Sequence, residues 1–289
     1  MKRATSDKRF QLAQESERDY WENLWKGIGD RQSQANEYWQ HYIGLLGKHA
    51  RLRLNSKVLD IGCGPCGMIN YLDLGQKYAL DSLMDFYLSS FDMPKDVKWV
   101  AGRGEDIPFK DCFFDTVITT NCIEHVKNPD RVLSEINRIL KENQGFLFLT
   151  VNACSWWAKY VKVFLETIGL GTPSHLHIFT ATAVRQMLSR SGFTIIGILH
   201  GIGDLGVSTG GVVAMKESIP TITRGNIVKA IDILRKEGCK TLLRRLIRLS
   251  LLNIFGASRW PRDSIFLAIK RPPVGETPIM VQHLPSSIN

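Results

Sequence analysis

At 289 residues the chain can bury a large core; its 44% apolar content is ordinary for a globular protein, and no uncharged apolar run reaches the length of a membrane-spanning helix. The formal charge of +9 is concentrated, because residues 224–271 carry twelve Lys and Arg against three acids while the rest balances at 25 each. One segment, rather than the whole surface, is therefore expected to meet any anionic partner.

In chain order, Met1–Arg9 lacks the apolar stretch of a secretory signal, which predicts a cytoplasmic protein. The six cysteines, at 63, 66, 112, 122, 154 and 239, are scattered and suit free thiols in a reducing compartment. Residues 1–15 are polar and expected to fray. Two helical patterns follow, one carrying Trp21 and Trp25, the other Tyr38, Trp39, Tyr42, Ile43, Leu45 and Leu46 after a cap at Ser33. Packing onto the main domain is the favoured role for these aromatics over a substrate cage.

From Lys57 the pattern changes to short apolar runs separated by helical segments. Strands are predicted at 57–61, 77–80, 97–101, 114–119 and 145–151, with a helix over 129–141 whose stripe is Val132, Leu133, Ile136, Ile139 and Leu140. Thr180 caps a helix bearing Val184, Met187 and Leu188, and strands follow at 193–199 and 264–270. This alternation predicts βαβ units and a parallel sheet covered on both faces.

Three chemistries compete for Val58-Leu59-Asp60-Ile61-Gly62-Cys63-Gly64-Pro65-Cys66-Gly67. A strand ending in a glycine turn brings backbone N–H groups and a helix start close to a ligand. That suits a dinucleotide, as in an NAD-dependent oxidoreductase, or S-adenosylmethionine. Asp60 discriminates between them: a carboxylate beside the turn repels a pyrophosphate but suits a sulfonium and an ammonium. A redox dithiol at Cys63 and Cys66 gives no purpose to Gly62, Gly64 and Gly67 together.

The decapeptide resembles motif I of class I S-adenosylmethionine-dependent methyltransferases of the type 11 kind, and further matches follow in order over residues 55–200. Tyr78-Ala79-Leu80-Asp81 is similar to the second strand, whose terminal acid binds ribose hydroxyls. Gly102 to Phe109 resembles the loop bordering the adenine, with Gly104, Glu105 and Asp106 as its ligand groups and Arg103 as a departure from it. Phe114 to Asn121 looks like the fourth strand and its cofactor-facing end. Glu124-His125-Val126, the strand Gly145 to Asn152, His177-Ile178-Phe179-Thr180 and Ser191-Gly192-Phe193 complete the set. The resemblance implies a doubly wound, Rossmann-like α/β fold with seven strands. It also implies S-adenosyl-L-methionine as cofactor, held by Asp60, Gly62, Gly64, Gly67, Asp81, Gly104, Glu105, Asp106 and Asn121.

Methyl transfer is an in-line displacement, to which a hydroxyl acceptor adds the need for a base. His125, His175 and His177 are the candidate catalytic residues, each weighed against a structural role. Glu124-His125 is also similar to part of a metal-binding motif of quinone-biosynthesis O-methyltransferases. Asn121 stands where that motif has an acid, and no metal is assigned. The Asn-Pro-Pro-aromatic motif of base N-methyltransferases is absent after the fourth strand, which argues against nucleic acid as acceptor.

Residues 224–262 alternate Lys and Arg with Ile, Val and Leu, a pattern that fits an anionic membrane surface or an amphipathic cap over a cleft. The expected organisation is N-terminal helices over 1–54, a methyltransferase core over 55–200, a basic helical insertion over 201–262, a last core strand over 263–271 and a tail over 272–289. The expected activity is O- or C-methylation of a small-molecule or lipid-linked acceptor, with peripheral attachment to the inner face of a membrane through the insertion. An oxidoreductase and a noncatalytic cofactor-binding protein are the alternatives.

Overall fold

The computed structural model describes residues 7–26, 31–50, 52–73, 75–143, 145–167, 175–200 and 262–271. The insertion, save for Arg262, and the tail lie outside the described residues. Seven strands form one sheet: β1 Lys57–Ile61, β2 Gln76–Asp81, β3 Val97–Ala101, β4 Thr116–Thr120, β5 Phe146–Ala153, β6 Phe193–His200 and β7 Arg262–Lys270. Their order is β3-β2-β1-β4-β5-β7-β6. The first five pair in parallel, and β7 runs antiparallel to both β5 and β6. The alternation of strands and helices predicts the parallel part, and β7 lies antiparallel between β5 and β6.

The helices are α1 Asp7–Lys26, α2 Arg31–His49, α3 Met84–Ser90, α4 Pro129–Ile139, α5 Trp156–Thr167 and α6 Ala181–Arg190, with a short 3-10 helix at Met68–Tyr71. Helix α4 begins because Asn128 accepts the Arg131 N–H at 3.1 Å and Pro129 supplies a fixed first turn. It stops where Leu140 turns extended and bridges to Phe114. Thr180 caps α6 as its sequence predicts, accepting from Ala183 at 3.2 Å. Helix α1 starts at Asp7, so residues 7–15 are helical rather than frayed.

Strand alternation separates two cores. Leu59, Ile61, Val117, Leu147 and Leu149 join α4 and α6 on one face. Val58, Ala79, Ile118, Phe146 and Phe148 join Tyr42 and Leu46 of α2 on the other. Strand order diverges on either side of β1 and β4, which opens a crevice beyond the carboxyl ends of these strands.

Candidate active site

A cavity of about 440 Å³ fills the crevice, walled by Ile61 to Gly64, Asp81 to Leu83, Gly102 to Glu105, Thr120 to Cys122, Glu124 to Val126, and Asn152. Each group follows the end of a parallel strand, where main-chain direction changes and polar backbone groups become available. The fourth side and roof come from α1 and α2. Phe10, Gln14, Glu17 and Trp21 line the cavity from α1 at helical spacing, joined by Tyr38 and Trp39 of α2. Tyr42 is buried against Phe148 with Tyr38 and Trp39 packed beside the same core, and Trp21, Tyr38, Trp39 and Tyr42 all border the cavity. The side chain of Trp25 lies outside the described residues.

Helix α1 is tied to the rim by specific pairs rather than by a broad apolar face. Asp7 pairs with Lys127, Arg9 donates to the His175 carbonyl at 3.4 Å, and Ser82 donates to Gln14 at 2.6 Å. Phe10 lies beneath both the Arg103 guanidinium, 4.4 Å from its ring centre, and the Lys127 ammonium at 4.9 Å.

Gly62 and Gly64 form the turn after β1 with φ of +68° and +57°. A Cβ on Gly62 would collide with the Cys122 sulfur, and one on Gly64 would meet the Trp21 ring at 3.1 Å. Backbone and cavity therefore approach with nothing between them. The loop's amides are already engaged within the protein: Gly62 N–H donates to Leu80 O at 2.8 Å and Gly64 N–H to Asp81 Oδ2 at 3.0 Å. Asp81 Oδ1 accepts from Leu83 N–H at 2.9 Å. Burial raises the Asp81 carboxyl, and the N–H groups of Leu83 and Gly64 oppose that rise.

Asp60 lies elsewhere than expected. It shares the face of Val58, is fully buried beneath the loop, and accepts the Ile69 N–H at 3.3 Å through Oδ2. Its Oδ1 has no hydrogen-bond partner among the described residues. Burial, with Asp81 adding to it, pushes its pKa up to about 8, so at neutral pH Asp60 is largely protonated. Asp60 is not among the residues that line the cavity. Gly67 also stands behind the wall, where a Cβ would sit 2.5 Å from Cys63 O and 2.9 Å from Asp60 Oδ2. The helix expected after the turn is only the four-residue 3-10 turn at Met68.

Because the folded protein keeps a proton on Asp60 that the unfolded chain releases near pH 3.8, this group's contribution is full below that pH and lost as pH rises through about 8. Glu17 acts in the same sense between 4.5 and about 7. Unliganded protein should thus lose stability from roughly pH 5 to 8, read as a falling urea midpoint, and Asp60→Asn should flatten the slope. An unchanged slope in the variant would remove Asp60 as its source.

Among the other expected ligand groups, Gly104 and Glu105 line the cavity, and Asp106 is exposed outside it. Glu105 Oε1 accepts from the N–H groups of Lys127 at 2.8 Å and Asn128 at 3.2 Å, which joins the two loops of the rim. Asn121 lines the wall at φ +47°, its amide oxygen accepting from the Thr150 hydroxyl at 3.3 Å. Asn152 also lines the wall, and among the described residues its buried Oδ1 has no hydrogen-bond partner.

The histidines divide. His125 and His175 line the cavity with ring centres 4.8 Å apart, edge to face. His177 does not line it: its Nε2–H donates to the Val126 carbonyl at 2.8 Å and its ring stacks on Phe179, a structural role. Opposite His125 stands Glu17, with Oε1 3.2 Å from Nδ1. Burial and the nearby charge of Asp81 push Glu17 up to about 7. Glu17 is the residue that sequence reasoning missed. Its spacing from Phe10, Gln14 and Trp21 was the available signal, masked by the polar character of the surrounding helix.

Cys63, Cys66, Cys112, Cys122 and Cys154 are free thiols. Burial and the neighbouring carboxylates push Cys63 well above the usual thiol range, the reverse of what a redox nucleophile needs. Among the described residues no cluster of three metal-ligating side chains occurs.

A family model described as a methyltransferase domain matches residues 31–198. The chain is 28% identical over 155 residues to a sterol 24-C-methyltransferase of Pneumocystis carinii, covering 50% of this chain and 37% of that one. It is 27% identical over 146 residues to a demethylmenaquinone methyltransferase of Lactobacillus johnsonii, covering 45% and 59%. The chain therefore spans less than two thirds of the length of either curated relative. In structure it is similar to phosphoethanolamine N-methyltransferase 2 of Haemonchus contortus in complex with S-adenosyl-L-methionine, with a TM-score of 0.51 at 17% identity, covering 81% of this chain and 53% of that one.

Proposed function

Since the chain belongs to the methyltransferase-domain family, whose model covers more than half of it, we propose that it transfers a methyl group from S-adenosyl-L-methionine to a small-molecule or lipid-like acceptor. One observation carries the choice of donor. The glycine turn faces Asp81 and Glu17 in the same cavity, and Asp81 itself occupies the Gly64 N–H. Such a cavity favours a cation and offers a diphosphate neither a free loop amide at Gly64 nor a long helix start, which disfavours the dinucleotide reading.

In this reading Asp81 meets the ribose hydroxyls, the turn at Gly62 and Gly64 admits the methionine part, and Gly104 and Asn121 flank the adenine and the reacting end. Asp60 and Gly67 act from behind by fixing the turn. Bound S-adenosylmethionine supplies an electrophilic methyl on a cationic sulfur. Glu17 and His125 then do the work at the acceptor: the carboxylate accepts from Nδ1–H, leaving Nε2 to take a proton from an acceptor oxygen. That step serves O-methylation directly, and C-methylation where loss of an O–H proton makes a carbon nucleophilic. The aromatic roof of Trp21, Tyr38 and Trp39 suits an apolar acceptor, and sterol and demethylmenaquinone appear in the names of two curated relatives.

Calorimetry separates donor from rival. S-adenosylmethionine is expected to bind with a micromolar dissociation constant, on the order of −8 kcal/mol, and NAD to give no heat. Asp81→Ala is expected to weaken the former about tenfold or more, since it removes a hydrogen-bonding charge and releases the Gly64 amide. Binding of NAD without S-adenosylmethionine would reject the proposal.

A further inference from the structure

Helix α5 presents to solvent a group of apolar side chains that methyl transfer does not use. Trp156 is 71% exposed, Tyr160 69%, Phe164 57% and Val163 43%. At about 3.6 residues per turn these positions share one side of the helix. The opposite side is spent on the fold: Ala158 and Leu165 are buried with Cys154, against Trp157, Val161 and Ile178. Helix α5 is thus held by one face while Trp156, Tyr160, Val163 and Phe164, with the half-buried Lys159 beside them, form the other.

The position of this face links it to the cavity. Asn152, in the cavity wall, precedes Trp156 by four residues, and Ile178, against which α5 packs, follows the wall residue His175 by three. Cys154 N–H donates to Phe179 O at 2.9 Å, which fastens the start of α5 to the same strip. A surface engaged by α5 therefore lies against the acceptor end of the site.

We propose that this face of α5 docks on the surface of an anionic bilayer and so admits an apolar acceptor to the cavity. The inference rests on the lipid-like acceptor proposed above. Trp and Tyr with lysines beside them suit the headgroup layer, where rings sit at the boundary and ammonium groups reach the phosphates. A second copy of the chain fits less well. Four side chains fall far short of the roughly 20–30 residues a stable interface uses on each partner, and lysines meeting their own copies across a twofold axis repel.

Flotation of the full-length protein with vesicles of phosphatidylcholine and phosphatidylglycerol tests this, beside calorimetry with S-adenosylmethionine on the same samples. The wild type should float, and Trp156→Ser with Tyr160→Ser and Phe164→Ser should reduce partitioning about tenfold or more while donor binding is retained. If the triple variant fails to fold, Trp156→Phe provides a second readout: quenching of tryptophan emission by brominated lipid should fall. Undiminished flotation of the triple variant, or undiminished quenching in Trp156→Phe, would overturn the proposal, including the case where the basic segment alone binds lipid. A wild type that binds donor but ignores vesicles would overturn it and leave methyl transfer intact; absent donor binding would strike the functional reading instead. A dimer in light scattering that the triple variant dissociates would assign the face to self-association and likewise overturn it.

Discussion

Replacing His125 by alanine is expected to lower kcat about 10²- to 10⁴-fold, the range a positioned proton acceptor contributes, while donor affinity changes little. The reason is geometric: Nδ1 lies 3.2 Å from Glu17 Oε1, so ionised Glu17 favours the tautomer with its proton on Nδ1. Glu17→Gln should cost less, roughly tenfold to a hundredfold, because an amide holds the ring without stabilising its positive charge. The pH profile distinguishes this role from a structural one. With Glu17 held near pH 7 in the free protein, kcat/KM should rise through about that value as the carboxylate forms. The kcat limb should lie lower, since a bound cation favours the carboxylate. Glu17→Gln should shift this limb rather than abolish it, because His125 must itself be deprotonated to accept a proton, and the double variant should be little worse than His125→Ala alone. A profile whose limb does not move in Glu17→Gln, or a fully active His125→Ala, would reject the pair as the proton acceptor.

The second large effect is expected at Gly62. Its φ of +68° is costly for any residue with a Cβ, by about 1–2 kcal/mol, and the added atom overlaps the Cys122 sulfur. Gly62→Val should therefore destabilise the protein by about 3 kcal/mol or more in urea unfolding and abolish donor binding. The two causes can be separated. Gly62→Ala with Cys122→Gly removes both the sulfur and the Cβ that the added atom meets while keeping the backbone strain at 62, so it should be more stable than Gly62→Ala alone. A Gly62→Val protein with wild-type stability would show that the turn is not constrained by this contact.

Both predictions rest on residues whose partners are distant in sequence, and that distance explains what could be read without a structure. Strand β1 was legible because Val58, Leu59 and Ile61, interrupted only by Asp60, run straight into a glycine turn, which has few alternatives to a buried parallel strand. The caps at Asn128 and Thr180 illustrate the same point at shorter range: Thr180 was read from local chemistry alone, and Asn128 acts by the same chemistry. Legibility failed where function depended on an element folding back. Helix α1 looks like a polar leader because its neighbours are rim loops, met by single pairs such as Asp7 with Lys127 and Gln14 with Ser82. Such contacts leave little periodic apolar signal.

The sequence by itself determined the doubly wound sheet, the glycine turn at Gly62 and Gly64 and the ordered motifs of a methyltransferase, since these depend on local conformation and hydrophobic period. It could not determine the direction of β7, nor that Asp60 is fully buried beneath the turn, where desolvation raises its pKa. It could not separate His177, bound to Val126, from His125 and His175 in the cavity. Nor could it bring Glu17 across from the N-terminal helix. Charge state and reactivity are set by burial and by neighbours in space, and only the packed chain decides which neighbours those are.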